Sequence, residues 1–478
     1  DQYIPILDWK VHYTCSDVLS TAAGGGIDIG SFCPGRDQNT TNVTFDVEHD
    51  VDAGSFTFIA AYQDYSYQHK FHGFEGGGAN LFRANRHEDY EGFSSELRFT
   101  SEEGEVFDYI AGLYYEDSDL ARNQFSDINL VGFGPPVLFR GNDPWAQQTQ
   151  TVAAFTQARW HFSDQVTGIF GGRWSSETKD FQFEDFSTAY GTSNGPRNYA
   201  ITPRSESRNE SKFTPSFTLQ YRLNDDINFF ATASRGHKTG GFSDRVDTQT
   251  GPITYDAEVI DGIELGMKGS FLDGSMNLNV VLFDMSIEGL QLSTQVPGTI
   301  NFKVGNAADS TSQGLEIESD WALDDKWTVG LNYAYTDASY NEYIGAGDCG
   351  AQFKDAGGIC DLSGQTLQYA PENKGSAYAD YFAFDSFGGW DFGARINLAH
   401  TGDQYTDVGL FDFAFSEAHN TVDASLRLVS PSDKVTLSLI GKNLGNEKIN
   451  AWTAPSGPNT IAAMAPPRLV TLKLGWTY

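Results

Sequence analysis

The chain has 478 residues, and 31 basic against 64 acidic side chains give a formal charge of −33. That balance argues against nucleic acid as a partner, because phosphate binding needs clustered lysine and arginine. No run of 18 apolar residues is present, which excludes a membrane-spanning helix. A mean hydropathy of −0.38 with 14% aromatics suits soluble domains, and equally a transmembrane β-barrel, whose strands are only half apolar.

Residues 1–40 include a glycine-rich stretch with Cys15 and Cys33 and are read as an outer loop region. From Thr41 onward, seventeen amphipathic segments follow one another, as expected for antiparallel strands of a large barrel occupying 41–478. Segments 41–51 and 55–67 flank a turn at 52–54, 90–100 and 106–116 one at 102–104, 149–162 and 166–181 one at 163–165, and 213–223 and 227–238 one at 224–226. The same pattern gives turns at 272–274, 324–326, 386–389 and 431–433, all rich in the Asp, Asn, Gly, Ser and Pro that favour tight turns. Between hairpins the links are long, at 68–88, 118–148, 184–208, 241–255, 342–371, 401–417 and 445–466. Loops of that length are uncommon unless they are functional, and here they all fall at one rim. In the last segment Val470, Leu472, Leu474, Trp476 and Tyr478 share one face, and Thr471, Lys473, Gly475 and Thr477 the other.

Catalytic signatures are missing: the sequence has no G-x-S-x-G, no H-E-x-x-H and no P-loop, so an enzyme is not expected, nor a cofactor. The acidic row Asp46, Glu48 and Asp50 lacks the spacing and closing Glu of an EF-hand and reads as a lumen-facing polar row. Candidate ligand-binding residues lie in the long links. His69 and His72, with His87 further on, suit a metal chelate; Arg83 and Arg86 suit an anion. Trp145, Tyr405 and Trp452 suit stacking on a sugar or catechol ring, the alternative being an aromatic girdle at a membrane interface. No protein-bound metal site is expected.

Several stretches resemble TonB-dependent outer-membrane receptors. They are Ser234-Arg235-Gly236 with Lys238-Thr239-Gly240-Gly241-Phe242, Tyr255-Asp256-Ala257-Glu258-Val259, Glu264-Leu265-Gly266-Met267-Lys268, and Asn306-Ala307-Ala308 followed by Ser312-Gln313-Gly314-Leu315-Glu316. Tyr333-Ala334-Tyr335-Thr336-Asp337-Ala338, Asn443-Leu444 with Glu447-Lys448, and Pro467-Arg468 leading into the last strand extend the resemblance to the end of the chain. It implies a 22-stranded barrel with a plug inside the lumen, in a bacterial outer membrane. The seventeen segments would then be the last seventeen, with the plug, its TonB-contacting segment and the first strands lying outside this sequence. The implied activity is uptake of a scarce ligand, such as a ferric siderophore, haem, a cobalamin or an oligosaccharide, driven by energy that TonB delivers. The implied partners are outer-membrane lipid, the ligand and TonB. A passive porin-like channel and a surface structural or adhesin barrel are the alternatives.

The four cysteines fall in two close pairs inside loop segments, which in an oxidising compartment reads as two local disulfides, Cys15–Cys33 and Cys349–Cys360. Neither pair has zinc-finger spacing. Unreduced protein should therefore resist alkylation at all four positions, and mass spectrometry that finds four alkylated cysteines without reductant would rule both bonds out.

Overall fold

A computed structural model of the chain describes residues 2–4, 9–11, 35–73, 82–129, 137–183, 186–191, 195–200, 203–243, 253–295, 302–456 and 459–477. One antiparallel sheet dominates it, made of seventeen long strands with a short hairpin, Phe186–Gly191 and Gly195–Ala200, added at the loop rim. The strands are β1 (Gly35–Val51), β2 (Gly54–Gly73), β3 (Phe82–Ser101), β4 (Phe107–Asn129), β5 (Val137–His161), β6 (Val166–Phe183), β7 (Arg204–Arg222), β8 (Ile227–Lys238) and β9 (Glu258–Phe271). They continue as β10 (Met276–Gln295), β11 (Phe302–Ala322), β12 (Trp327–Glu342), β13 (Asn373–Phe387), β14 (Trp390–Thr401), β15 (His419–Val429), β16 (Val435–Lys442) and β17 (Leu469–Trp476). Each strand pairs with the next in sequence, and the tight turns fall where the sequence places them. Nothing described of residues 12–34 bears on Cys15 or Cys33, which lie outside the described residues.

Side-chain alternation sorts the sheet into two faces. One is apolar and open: Leu113 is 61% exposed, Leu265 52% and Leu472 69%. An apolar surface of this extent is not left to water, and it is what a barrel presents to lipid. Aromatic rings form a row on this face near the tight turns. Phe56 meets Phe99 at 4.8 Å, Phe99 meets Tyr109 at 5.8 Å, Phe107 meets Trp160 at 5.9 Å and Trp327 meets Tyr381 at 4.9 Å. A second aromatic level lies toward the long links, where Tyr62 stands opposite Phe93 and Trp174 opposite Phe213. The other face is polar and lines the lumen.

The structure differs from the sequence reading at the loop rim. The first strand begins at Gly35 rather than Thr41, and much of 68–88 and 118–148 is strand rather than loop. Above the second aromatic level both faces meet water, so the apolar–polar period fades while the backbone ladder continues. His69, His72, Arg83 and Trp145 accordingly sit on strands, not in loops.

The ring order sets β17 beside β1, yet among the described residues no register joins them: β1 pairs with β2 and β17 with β16. The two strands run in the same direction, because seventeen is odd, so an antiparallel ladder cannot close between them. Both are exposed along nearly their whole length. The lipid-facing assignment has a direct test. Leu265→Arg should cost ~2–4 kcal/mol in urea-titrated folding into lipid vesicles, whereas Glu264→Gln, on the polar face, should stay within about 0.5 kcal/mol. Equal effects would overturn the assignment.

Candidate functional site

Registers across β1 to β6 assemble a site on the polar face at the loop rim. Counting through the pairs puts Arg36, His69, Arg86 and Gln124 in one row across four strands. The row below runs Gln38, Tyr67, Glu88, Arg122, Trp145 and Phe183. Three arginines and a histidine thus share one small area of wall with three aromatic rings. Arg86 donates from Nε and Nη2 to Gln124 Oε1 at 3.2 and 2.9 Å, and Arg122 Nη2 donates to the same oxygen at 3.3 Å. Gln124 is buried, so one acceptor fixes two guanidinium groups. Arg36 lies over the Tyr67 ring at 5.0 Å and Arg122 over the Trp145 ring at 5.7 Å. Tyr65 OH donates to Glu88 at 2.8 Å, which holds that carboxylate to one side; the upper row continues from Gln124 to Asp143.

His69 stands on the part of β2 above Tyr62, beyond the roughly 9–11 residues a strand needs to cross a bilayer. Burial first, and then the charges of Arg86 and Arg36, pull its pKa below the ordinary histidine value. The imidazole therefore stays neutral at pH 7 and offers a hydrogen bond, leaving the positive charge to the arginines.

Aromatic packing continues downward from Trp145. Its ring meets Phe181 at 5.7 Å, and Phe181 stacks on Phe242 at 5.0 Å with planes 8° apart. Phe242 arrives on a strap formed by 239–243 and 253–258, in which Gly241 and Phe242 pair with Tyr255 and Thr254. Lys179 Nζ donates to Thr239 Oγ1 at 2.8 Å and to the Gly240 carbonyl at 3.0 Å, and Gly240 N–H donates to Glu210 at 3.2 Å. Arg208 bridges Glu210 and Asp256, at 3.0 and 3.1 Å. Asn306 Nδ2 donates to the Asp256 and Gly289 carbonyls at 2.9 and 2.7 Å. A side chain at Gly240 would collide with Arg208 and the Tyr255 carbonyl, so only glycine allows the strap to lie this close. Thr239-Gly240-Gly241-Phe242, Tyr255-Asp256 and Asn306, which carry the family resemblance, are the residues that hold the strap.

The other sequence candidates are distributed as follows. His72 stands opposite Arg83 in the β2–β3 register; their side chains lie outside the described residues. His87 alternates to the face opposite His69 and pairs with Asp89 at 3.0 Å, so these two histidines do not converge. Among the described residues no group of three His, Cys, Asp or Glu side chains is placed to hold a metal ion. Trp145 belongs to the lumenal stack rather than to an outer girdle. Arg122, Gln124, Phe181 and Phe242 were missed as site residues. Counting back from the 102–104 turn that the sequence suggests pairs Arg86 with Leu120; the longer turn in the structure shifts the register and sets Arg86 opposite Gln124, and nothing local signals the strap.

Tyr405 and Trp452 lie elsewhere on the rim, where 343–372 and 402–417 fold into a cap. Its core is Tyr340, Tyr343, Leu362, Val408 and Leu410, stapled by the Cys349–Cys360 disulfide. Acidic side chains shape its turns. Asp355 Oδ1 accepts from Gly357 and Ile359 N–H, both at 2.8 Å, and Asp407 Oδ1 accepts from Gly409 N–H at 2.8 Å. Burial pushes the Asp407 carboxyl above its usual range; the Gly409 bond opposes this and the Asp348 charge adds to it. The folded cap therefore binds that proton more tightly than the unfolded chain does. The corresponding stability is fully present below the unfolded value of ~3.9 and is lost as pH rises through the raised folded value. Relative to the intrinsic exchange rate at each pH, protection of cap amides should rise on acidification toward that range, and the Asp407→Asn variant should lack this component. An unchanged pH slope in the variant would refute the assignment.

Residues 14–444 match the family model described as TonB dependent receptor-like, beta-barrel. Among curated relatives, the ferric-pyoverdine 358 receptor of Pseudomonas putida is 26% identical over 185 residues, which is 38% of this chain and 20% of that protein. The pesticin receptor of Yersinia pestis is 21% identical over 308 residues, 64% of this chain and 42% of that protein. The chain thus spans less than half the length of these relatives. The ferric yersiniabactin uptake receptor FyuA from Yersinia pestis has a similar fold, with a TM-score of 0.73 at 17% identity over 93% of this chain and 62% of that one. The siderophore receptor PiuA from Acinetobacter baumannii gives 0.69 at 16% identity over 94% and 66%. With seventeen antiparallel strands, an apolar outer belt and a family match over most of its length, the chain belongs to the TonB-dependent receptor β-barrel family, a family of receptors rather than enzymes.

Proposed function

We infer that the protein works in a bacterial outer membrane as an active-uptake receptor for a ferric siderophore, with energy delivered by TonB. The observation that carries this reading is the lumenal wall of Arg36, Arg86, Arg122, His69, Tyr67 and Trp145. Guanidinium groups attract the anionic oxygens of a ferric chelate, and adjacent rings stack on catecholate or phenolate rings. A net charge of −33 would otherwise repel such a ligand, so a local basic patch at the entrance matters. Relatives named as ferric-pyoverdine and ferric yersiniabactin receptors support the same ligand class.

Two measurements test the reading. Cells relying on a ferric siderophore should grow only while the inner-membrane energy source is intact, because concentrating a dilute ligand requires work; uptake that persists without it would favour a passive channel. In direct binding, Arg86→Gln should lose ~1.5–3 kcal/mol, the worth of a hydrogen bond to a charged group, and Trp145→Ala ~1 kcal/mol of stacking. Unchanged affinity in both variants would move the site away from this wall.

A further inference from the structure

Outside the lumenal wall, exposed rings from separate loops are drawn together on the cap. Tyr369 is 46% exposed, Phe413 39%, Phe415 39% and Trp452 42%. Three loops contribute these rings, and hydrogen bonds tie the loops together. Tyr369 N–H donates to the Tyr405 carbonyl at 2.8 Å, and Tyr369 OH donates to the Ala451 carbonyl at 3.4 Å. Tyr405 meets Phe415 edge-on at 5.2 Å. The hairpin Asn450–Ser456, which carries Trp452, packs against the turn Asp412–Ala414.

The backbone is strained where the rings gather. Tyr369 has a φ of 56°, a left-handed conformation that a bulky residue adopts only when its surroundings impose it. Strain held in place by two hydrogen bonds, at an exposed aromatic residue, marks a preorganised surface rather than a packing accident.

Charge selects what the surface can take. The segments 343–372 and 402–417 carry eight carboxylates and one lysine, Lys354. That lysine is engaged by Asp348 at 2.6 Å. Asp412, next to Phe413, is fixed by Gln352 Nε2 at 2.9 Å, and its charge helps burial raise the Tyr405 pKa. Ring faces and a carboxylate both attract cations and both repel anions. The wall around Arg86 has the opposite preference, so the two surfaces do not share a ligand.

We propose that Tyr369, Tyr405, Phe413, Phe415 and Trp452, with Asp412, form a docking surface on the outer cap for a basic polypeptide segment, whose arginine or lysine side chains lie over the rings. The disulfide-stapled core beneath lets the surface bind without first being ordered.

The test uses the intact protein in detergent micelles and a fluorescent probe peptide, acetyl-Gly-Arg-Arg-Gly amide, read by anisotropy. Its counterpart with citrulline in place of arginine keeps the shape and removes the charge. The arginine peptide should bind about tenfold more tightly than the citrulline peptide. Trp452→Ala and Asp412→Asn should each weaken it by about twofold to fivefold. Unchanged hydrogen-exchange protection of the Leu362 and Leu410 amides verifies that the cap in each variant is folded. The double variant Asp273→Asn with Asp325→Asn, at the opposite rim, should bind as the unaltered protein does. Equal binding of the two peptides would overturn the proposal. So would an equal loss in the opposite-rim variant, which would mean diffuse attraction to net negative charge, or no loss in Trp452→Ala and Asp412→Asn.

Discussion

Every strand in the sheet must find hydrogen-bond partners for its backbone, and no other requirement shapes this protein as strongly. In hydrocarbon an unpaired amide or carbonyl costs several kcal/mol, so each strand from β2 to β16 is paired on both sides. Once the ladder is set, alternation places Leu113, Leu265 and Leu472 outside and Glu264, Arg86 and Trp145 inside without further instruction. The ladder also persists above the membrane, where no apolar face demands it, and there it carries the candidate site. Arg36, His69, Arg86 and Gln124 are aligned by four strands in register, a more rigid mounting than four loop residues would have.

Rigidity continues inward through the strap. Lys179, Glu210 and Arg208 on the wall hold 239–243 and 253–258 across the lumen side, and Phe242 extends the stack of Trp145 and Phe181. Residues that carry the family resemblance thus do structural work one layer behind the arginine and aromatic rows.

Electrostatics divides the rim. Net charge is −33, yet the carboxylates of the cap largely serve as turn-makers, as at Asp355 and Asp407, while the wall concentrates arginine. A global count of charge is therefore a poor guide to any one surface. The cap and the wall carry opposite charges and are built differently. The cap is a small apolar core with a disulfide; the wall is an extension of the barrel itself.

From the sequence alone came the strand count, the tight turns, the outward face and the family, because each depends on local periodicity, turn chemistry or short motifs. The Cys349–Cys360 bond was also legible, since its partners are close in the chain. Three things were decided only by the tertiary structure. Strand continued through stretches that read as loops, because period-two alternation disappears when both faces meet water. His69 and His87 fell on opposite faces, and Arg86 rather than Arg83 joined His69 on the wall, because one position of register moves a side chain across the sheet. Finally, Tyr405, Tyr369 and Trp452 met on the cap although three separate links carry them: nothing in a linear sequence records which loops a barrel will bring side by side.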